Sequence, residues 1–189
     1  MLKIGITGQN GFVGSNLYQT LGLFPQEFLR IEFERSFFDS DELLDAFVRQ
    51  CDVIVHLAAL NRHHDPEQIF AVNTKLVDKL VASLERTGVA PQVIISSSSQ
   101  EERDNPYGKS KKKGRELLAS WAEKSGARFA GMVIPNVFGP FGKPFYNSVV
   151  ATFCHQISRG EEPKIEVDGH LKLIYVGELV QEILNAIRL

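Results

Sequence analysis

The sequence predicts an α/β protein built on a parallel sheet with helices on both faces. Three observations carry this. Segments of strand and helix periodicity alternate along all 189 residues, the pattern of a helix-covered parallel sheet. Residues 53–57 and 93–96 are nearly continuous apolar runs, as strands buried on both faces must be. A glycine-rich turn joins the first strand to the first helix. Right-handed crossovers between such units wind the sheet in the doubly wound, Rossmann-like manner.

Taken in order, residues 2–7 are a short β-rich run. After the turn a helix reaches about Gly22, and residues 28–33 read as the second strand. Asp39 or Ser40 can cap a helix to about Gln50, with Leu43, Leu44, Phe47 and Val48 at helical spacing. The strand at 53–57 follows. Asp65 as cap, Pro66 at the first helical position and Gln68 as the far side of a capping box open a helix that stops at Gly88. The strand at 93–96 leads to a second cap-plus-proline signal, Asn105 and Pro106, opening a helix to about Ser125. Strands at 128–134 and 171–175 and helices at 147–159 and 176–189 complete the chain. Between the first helix and Val53 there is room for one strand and one helix only, so the first half is one strand short of the usual nucleotide-binding pattern.

Composition bounds the function. Hydrophobic residues make up 43% and charged residues 23%, an ordinary globular balance. Residues 1–189 are read as a single domain, large enough to bury a core without disulfide or metal. Lys and Arg total 21 against 23 Asp and Glu, a net charge of −2, so no global field recruits nucleic acid or an anionic membrane. No apolar run approaches the roughly 20 residues of a membrane span, and the N-terminus lacks the features of a secretory leader. Cys51 and Cys154 follow no metal spacing and are expected as reduced, buried thiols of a cytoplasmic protein. His63 and His64 lie beside Asp65 without a third ligand at a useful spacing, and no metal is expected.

The turn reads Thr7-Gly8-Gln9-Asn10-Gly11-Phe12-Val13-Gly14. Glycine lets the backbone approach a pyrophosphate, and the helix start offers N–H groups and a positive dipole end. The spacing is G-x-x-G-x-x-G, and no Gly-Lys-Ser/Thr ends it as a Walker loop would. About 20 residues further on, an acidic side chain would suit the ribose of NAD and an arginine the phosphate of NADP. Glu34 and Arg35 stand there side by side. Asp39 either meets the adenine or caps a helix.

Tyr107 and Lys111 are one helical turn apart and share a face. Ser96-Ser97-Ser98-Ser99 ends the strand just upstream, at the carboxyl edge where doubly wound sheets bind ligands. A lysine ammonium near a tyrosine lowers its pKa from about 10, fitting it for proton exchange with a sugar hydroxyl while a nicotinamide exchanges hydride. A serine hydroxyl would hold the same oxygen.

With these motifs the chain resembles the extended short-chain dehydrogenase/reductases, the NAD-dependent epimerase/dehydratase group that acts on nucleotide sugars. Also matching are His56-Leu57-Ala58-Ala59, Asn73 and Pro135-Asn136-Val137-Phe138-Gly139-Pro140. Leu60-Asn61-Arg62, Asp104-Asn105-Pro106-Tyr107-Gly108 and the run from Lys143 through Tyr146, Asn147, Ser148 and Ala151 to Cys154 are similar to the reductase half of CapF-type capsular polysaccharide enzymes. The resemblance implies Ser98, Tyr107 and Lys111 as catalytic residues. It implies Gly8, Gly11, Phe12, Val13, Gly14, Arg35, Asp39, Leu57, Ala58, Ala59 and Pro135 as cofactor contacts, joined by Tyr107 and Lys111. Asn61, Arg62, Asn136 and Asn147 would meet the substrate. An arginine at the place of Arg35 favours NADP(H), with NAD(H) as the alternative. The expected reaction is reduction of a keto-sugar nucleotide in polysaccharide biosynthesis. The resemblance also implies a homodimer through the helices opening at Pro66 and Pro106, and a truncated C-terminal substrate region to which residues 140–189 contribute. A second reading is a non-catalytic dinucleotide-binding sensor or partner subunit. Lys109, Lys112, Lys113 and Arg115 read as a solvated helix face, and Leu117, Leu118, Trp121 and Ala122 as core or dimer interface.

Overall fold

The computed structural model describes residues 1–165 and 168–189. Five strands form a parallel sheet: β1 (Leu2–Thr7), β2 (Phe28–Ile31), β3 (Val53–His56), β4 (Gln92–Ser98) and β5 (Phe129–Ile134). Their order is β2-β1-β3-β4-β5. The order reverses between β1 and β3, so a crevice opens there at the carboxyl ends of the strands. The strand missing from the first half leaves β2 at the edge. The helices are α1 (Phe12–Leu21), α2 (Asp41–Gln50), α3 (Pro66–Thr87), α4 (Pro106–Ser125), α5 (Val149–Ser158) and α6 (Val176–Arg188).

Side chains alternate across the pleat and build two cores. Ile54, Val93 and Ile95 meet Leu44 and Phe47 of α2, Leu80 and Leu84 of α3, and Leu118 and Trp121 of α4. Ile4, Ile6, Val53, Val55 and Ile94 meet Leu17 and Leu21 of α1 and Ile183, Leu184 and Ile187 of α6. Each of these side chains contributes about 1.5–3 kcal/mol by leaving water. The last helix, within the stretch expected to meet substrate, thus completes the second helical layer. Leu118, Trp121 and Ala122 are core.

Local signals hold with small shifts. Ser40 caps α2 by accepting from the Leu43 N–H at 3.3 Å, while Asp39 pairs with Lys79 at 3.5 Å. Asp65 caps α3 by accepting from the Glu67 N–H at 3.0 Å. The expected reciprocal bond from Gln68 is replaced, because the Asp65 N–H donates to His63 Nδ1 at 3.1 Å. The second strand stops at Ile31, and a 3-10 turn at Arg35–Asp39 follows. That turn tucks Phe38 against Phe33, ring centroids 5.2 Å apart. Ser148 caps α5, which starts two residues later than expected and leaves Asn147 in the preceding loop. Two short strands, β6 (Asn136–Phe138) and β7 (Leu173–Tyr175), form a separate parallel pair. The sequence reading gave no strand at 136–138, because three residues are too few for a period. Cys51 is buried as expected, whereas Cys154 is exposed because α5 buries no side chain fully. Among the described residues no helix is long and apolar enough to cross a membrane, and no cluster of three His, Cys, Asp or Glu is placed to hold a metal.

Candidate active site

The glycine turn is shaped for close approach. Gly8 has φ +81°, and a Cβ on Gly14 would sit 2.2 Å from the Gly8 carbonyl oxygen. Gly11 caps α1 without a side-chain bond, and the first turn holds no acidic residue. Its N–H groups are therefore available to an anion. Gln9 Oε1 is buried without a hydrogen-bond partner, an acceptor that a ligand hydroxyl can satisfy. The turn thus fits a dinucleotide backbone.

A cleft of about 1660 Å³ runs from this turn along the carboxyl ends of the strands. It brings together Gly8, Gly11, Phe12, Val13, Gly14, Arg35, Leu57, Ala58, Ala59 and Pro135. It also gathers Ser98, Tyr107, Lys111, Asn61, Arg62, Asn136 and Asn147. Of the residues expected at the site, Asp39 is not among those that line the cleft. Its exposed carboxylate turns to Lys79 instead, while Arg35 and Phe38 of the same 3-10 turn line the cleft.

The catalytic candidates converge from β4 and α4. Asn105 accepts from the Gly108 N–H at 2.8 Å, and this cap sets the first turn of α4 against the serine run. The Tyr107 phenol and the Ser98 hydroxyl face each other in the cleft. Lys111 Nζ donates to Ser96 Oγ at 3.3 Å. Burial lowers the Lys111 ammonium to about 8, opposed by the charge of Glu101. Burial raises the Tyr107 phenol above its usual value, and this outweighs the neighbouring Ser98 hydroxyl, which pulls it down. The expected depression of Tyr107 by Lys111 is thus not a property of the chain itself. The phenol stays protonated at neutral pH. His56, buried and beside Lys111, is held neutral, its pKa lowered to about 3. Its Nδ1 lies 2.8 Å from Thr7 Oγ1.

Several supporting residues were not visible as such in the sequence. Glu101 is buried and takes two bonds from Arg115, at 2.6 and 2.8 Å, and one from the Ser97 hydroxyl. Arg115 therefore leaves the solvated face to which it was assigned, while Lys109 pairs with Asp104 at 2.5 Å. A Cβ on Gly108 would lie 2.0 Å from the Gln100 carbonyl oxygen, so helix and loop touch directly. Asn73 accepts from the Leu60 N–H at 2.6 Å and donates to Leu60 O and Ser110 Oγ. It ties the segment along the cleft to α4. Asn73 was among the positions that matched the family, without a role assigned to it, and it stands as a lone amide within the apolar stripe Ile69, Val77, Leu80 and Leu84 of α3.

At the far end, Arg62 Nε donates to Asn147 Oδ1 at 2.7 Å, linking the loop after β3 to the loop before α5. Lys143 and Tyr146 join them on the wall. Phe141 and Phe145 nearby take φ +68° and +56°, a region that side chains with a Cβ seldom enter.

Comparison with known proteins shows the family and the fold. The model of the NAD dependent epimerase/dehydratase family matches residues 4–189. A Pseudomonas aeruginosa protein described as UDP-2-acetamido-2,6-beta-L-arabino-hexul-4-ose reductase is 37% identical over 185 residues, covering 95% of this chain and 48% of that protein. The crystal structure of the capsular polysaccharide assembling protein CapF from Staphylococcus aureus aligns with TM-score 0.81 and 36% identity, over 99% of this chain and 49% of CapF. The chain thus spans about half the length of these two relatives. RMD from P. aeruginosa, solved with NADPH, has TM-score 0.87 at 21% identity, over 100% of this chain and 73% of RMD, and shares the fold.

Proposed function

The chain belongs to the NAD-dependent epimerase/dehydratase family, and on that premise we propose that it reduces a keto-sugar nucleotide with NADP(H) in polysaccharide biosynthesis. The observation that carries the reading is the Tyr107 phenol facing Ser98 in the cleft, one helical turn from buried Lys111. A protonated phenol is a proton donor, which is what a carbonyl oxygen needs as it becomes a hydroxyl. The reductase named among the relatives supports the substrate class, and CapF supports the biosynthetic setting.

The glycine turn and the Leu57–Ala59 stretch of the cleft hold a dinucleotide. Arg35 on the cleft wall favours the phosphate of NADP(H), with NAD(H) the alternative. A reduced nicotinamide bound there supplies hydride. Ser98 donates a hydrogen bond to the substrate carbonyl oxygen and holds it against Tyr107. Tyr107 gives its proton to that oxygen. The Lys111 ammonium stabilises the phenolate left behind, and Ser96 holds that ammonium in place. Asn61, Arg62, Asn136 and Asn147 position the substrate. We place the contact of a homodimer on the outer faces of α3 and α4.

The test is consumption of NADPH on addition of a UDP-4-keto-hexose. Turnover, with NADPH preferred to NADH, supports the reading. Cofactor binding without turnover on a panel of keto-sugar nucleotides overturns it in favour of a non-catalytic binding module.

A further inference from the structure

We propose that Arg62, Lys143 and Tyr146 form an anion subsite that takes the diphosphate of the substrate nucleotide, separate from the Arg35 end of the cleft. The inference rests on the nucleotide-sugar reading above. The charges come first. Arg35, Arg62, Lys111 and Lys143 line the cleft, and among the described residues no Asp or Glu does. The chain as a whole carries −2, so positive charge is concentrated here against the overall balance, the signature of a polyanionic ligand.

These four cations divide by position. Arg35 belongs to the edge beyond β2. Lys111 is buried and bonded to Ser96. Arg62 and Lys143 converge on one aromatic ring, each 5.3 Å from the centroid of Tyr146. The ring face attracts both cations, yet the two repel each other, and an anion placed between them relieves that repulsion. Arg62 spends Nε on Asn147, and its two terminal nitrogens present the fork that phosphate oxygens fit. Lys143 lies in the loop between Phe141 and Phe145, both at positive φ. Tyr146 lies near enough to Tyr107 to raise the Tyr107 phenol further. The subsite and the proton donor therefore face one cleft, as a nucleotide sugar that reaches from one to the other requires.

The test uses UDP, uridine and NADPH as separate probes in calorimetric titrations of the whole chain. UDP binds roughly tenfold or more tightly than uridine, as charge-assisted bonds to two phosphates require. Lys143→Gln and Arg62→Gln each weaken UDP by about tenfold. They leave uridine and NADPH within about twofold of wild type, a margin well under 1 kcal/mol. Lys143→Arg and Arg62→Lys keep the charge and retain most of the UDP affinity, which separates lost charge from lost folding. Equal affinity for UDP and uridine, or UDP binding untouched by both glutamine variants, overturns the subsite. So does parallel loss of NADPH, which would mean that these cations serve the cofactor diphosphate. An unchanged KM for the keto-sugar nucleotide in Lys143→Gln overturns the subsite and leaves the reductase reading standing. Charge-dependent UDP binding without turnover on any such substrate does the reverse.

Discussion

Replacing Glu101 with glutamine keeps the shape of the side chain and removes one buried charge. The carboxylate is 5% exposed and takes two bonds from Arg115, at 2.6 and 2.8 Å, and a third from the Ser97 hydroxyl. The pair fastens the loop that runs from Ser98 to Tyr107, so it sets the spacing of the two hydroxyls proposed to hold the substrate oxygen. Breaking a buried pair by removing one partner costs about 3–5 kcal/mol. Arg115 keeps 32% of its side-chain exposure, so water compensates part of its charge and the loss falls to about 3 kcal/mol or less. A domain of this size loses about 2–4 °C per kcal/mol, so Glu101→Gln lowers Tm by up to about 6–12 °C. The pH dependence has a definite sign. Arg115 holds the Glu101 carboxyl below its ordinary 4.5. The stabilisation is therefore complete above that value and disappears as pH falls through the lower folded value. Thermal denaturation followed by circular dichroism across pH is the assay. The gap between wild type and variant stays constant at neutral pH and closes in acid, where protonated Glu101 also leaves Arg115 unpaired. A neutral-pH gap under about 2 °C, or a gap that persists undiminished at about pH 3, would refute the reasoning.

Other expectations follow from single contacts. Arg35→Ala weakens NADPH by roughly tenfold or more through loss of a charge-assisted contact and leaves NADH nearly unchanged, read by nicotinamide fluorescence. Gly14→Ala forces a Cβ to within 2.2 Å of a backbone oxygen. It abolishes dinucleotide binding and costs about 1–3 kcal/mol of stability, read by cofactor titration and urea unfolding. Lys111 is protonated only below about 8, so kcat falls as pH rises through that value. Between the folded value and the ordinary 10.5 the unfolded chain binds more protons, so this residue adds stability as pH rises. Lys111→Met lacks that rise in urea titrations. A thiol reagent labels exposed Cys154 in the native protein, while Cys51, buried and pushed up to about 12, reacts after unfolding.

The parts of the fold that follow from local chemistry were legible in the sequence. Asp65 with Pro66, and Asn105 with Pro106, mark helix starts because only the cap residue can satisfy the free N–H groups there. The apolar runs mark β3 and β4 because both faces are buried. That Tyr107 and Lys111 share a face beside the serine run was legible because one helical turn and one strand end fix their relation, while the choice of Ser98 within the run came from the family resemblance. What escaped depends on contacts distant in sequence. Arg115 looks like its solvated neighbours until Glu101 folds over it. Asp39 is drawn to Lys79 on another helix. The upward push on the Tyr107 phenol comes from burial, which spacing does not express. Lys143 and Tyr146 meet Arg62 only because two loops from opposite halves of the chain close on one cleft.

The account rests most heavily on Tyr107 as the proton donor in a hydride transfer to a sugar carbonyl. NADPH carrying deuterium at its transferable position, incubated with a UDP-4-keto-hexose, tests this directly. The account predicts a product bearing deuterium on the former carbonyl carbon with wild type, and none with Tyr107→Phe, which still binds NADPH. Deuterated product from Tyr107→Phe at the wild-type rate would contradict it.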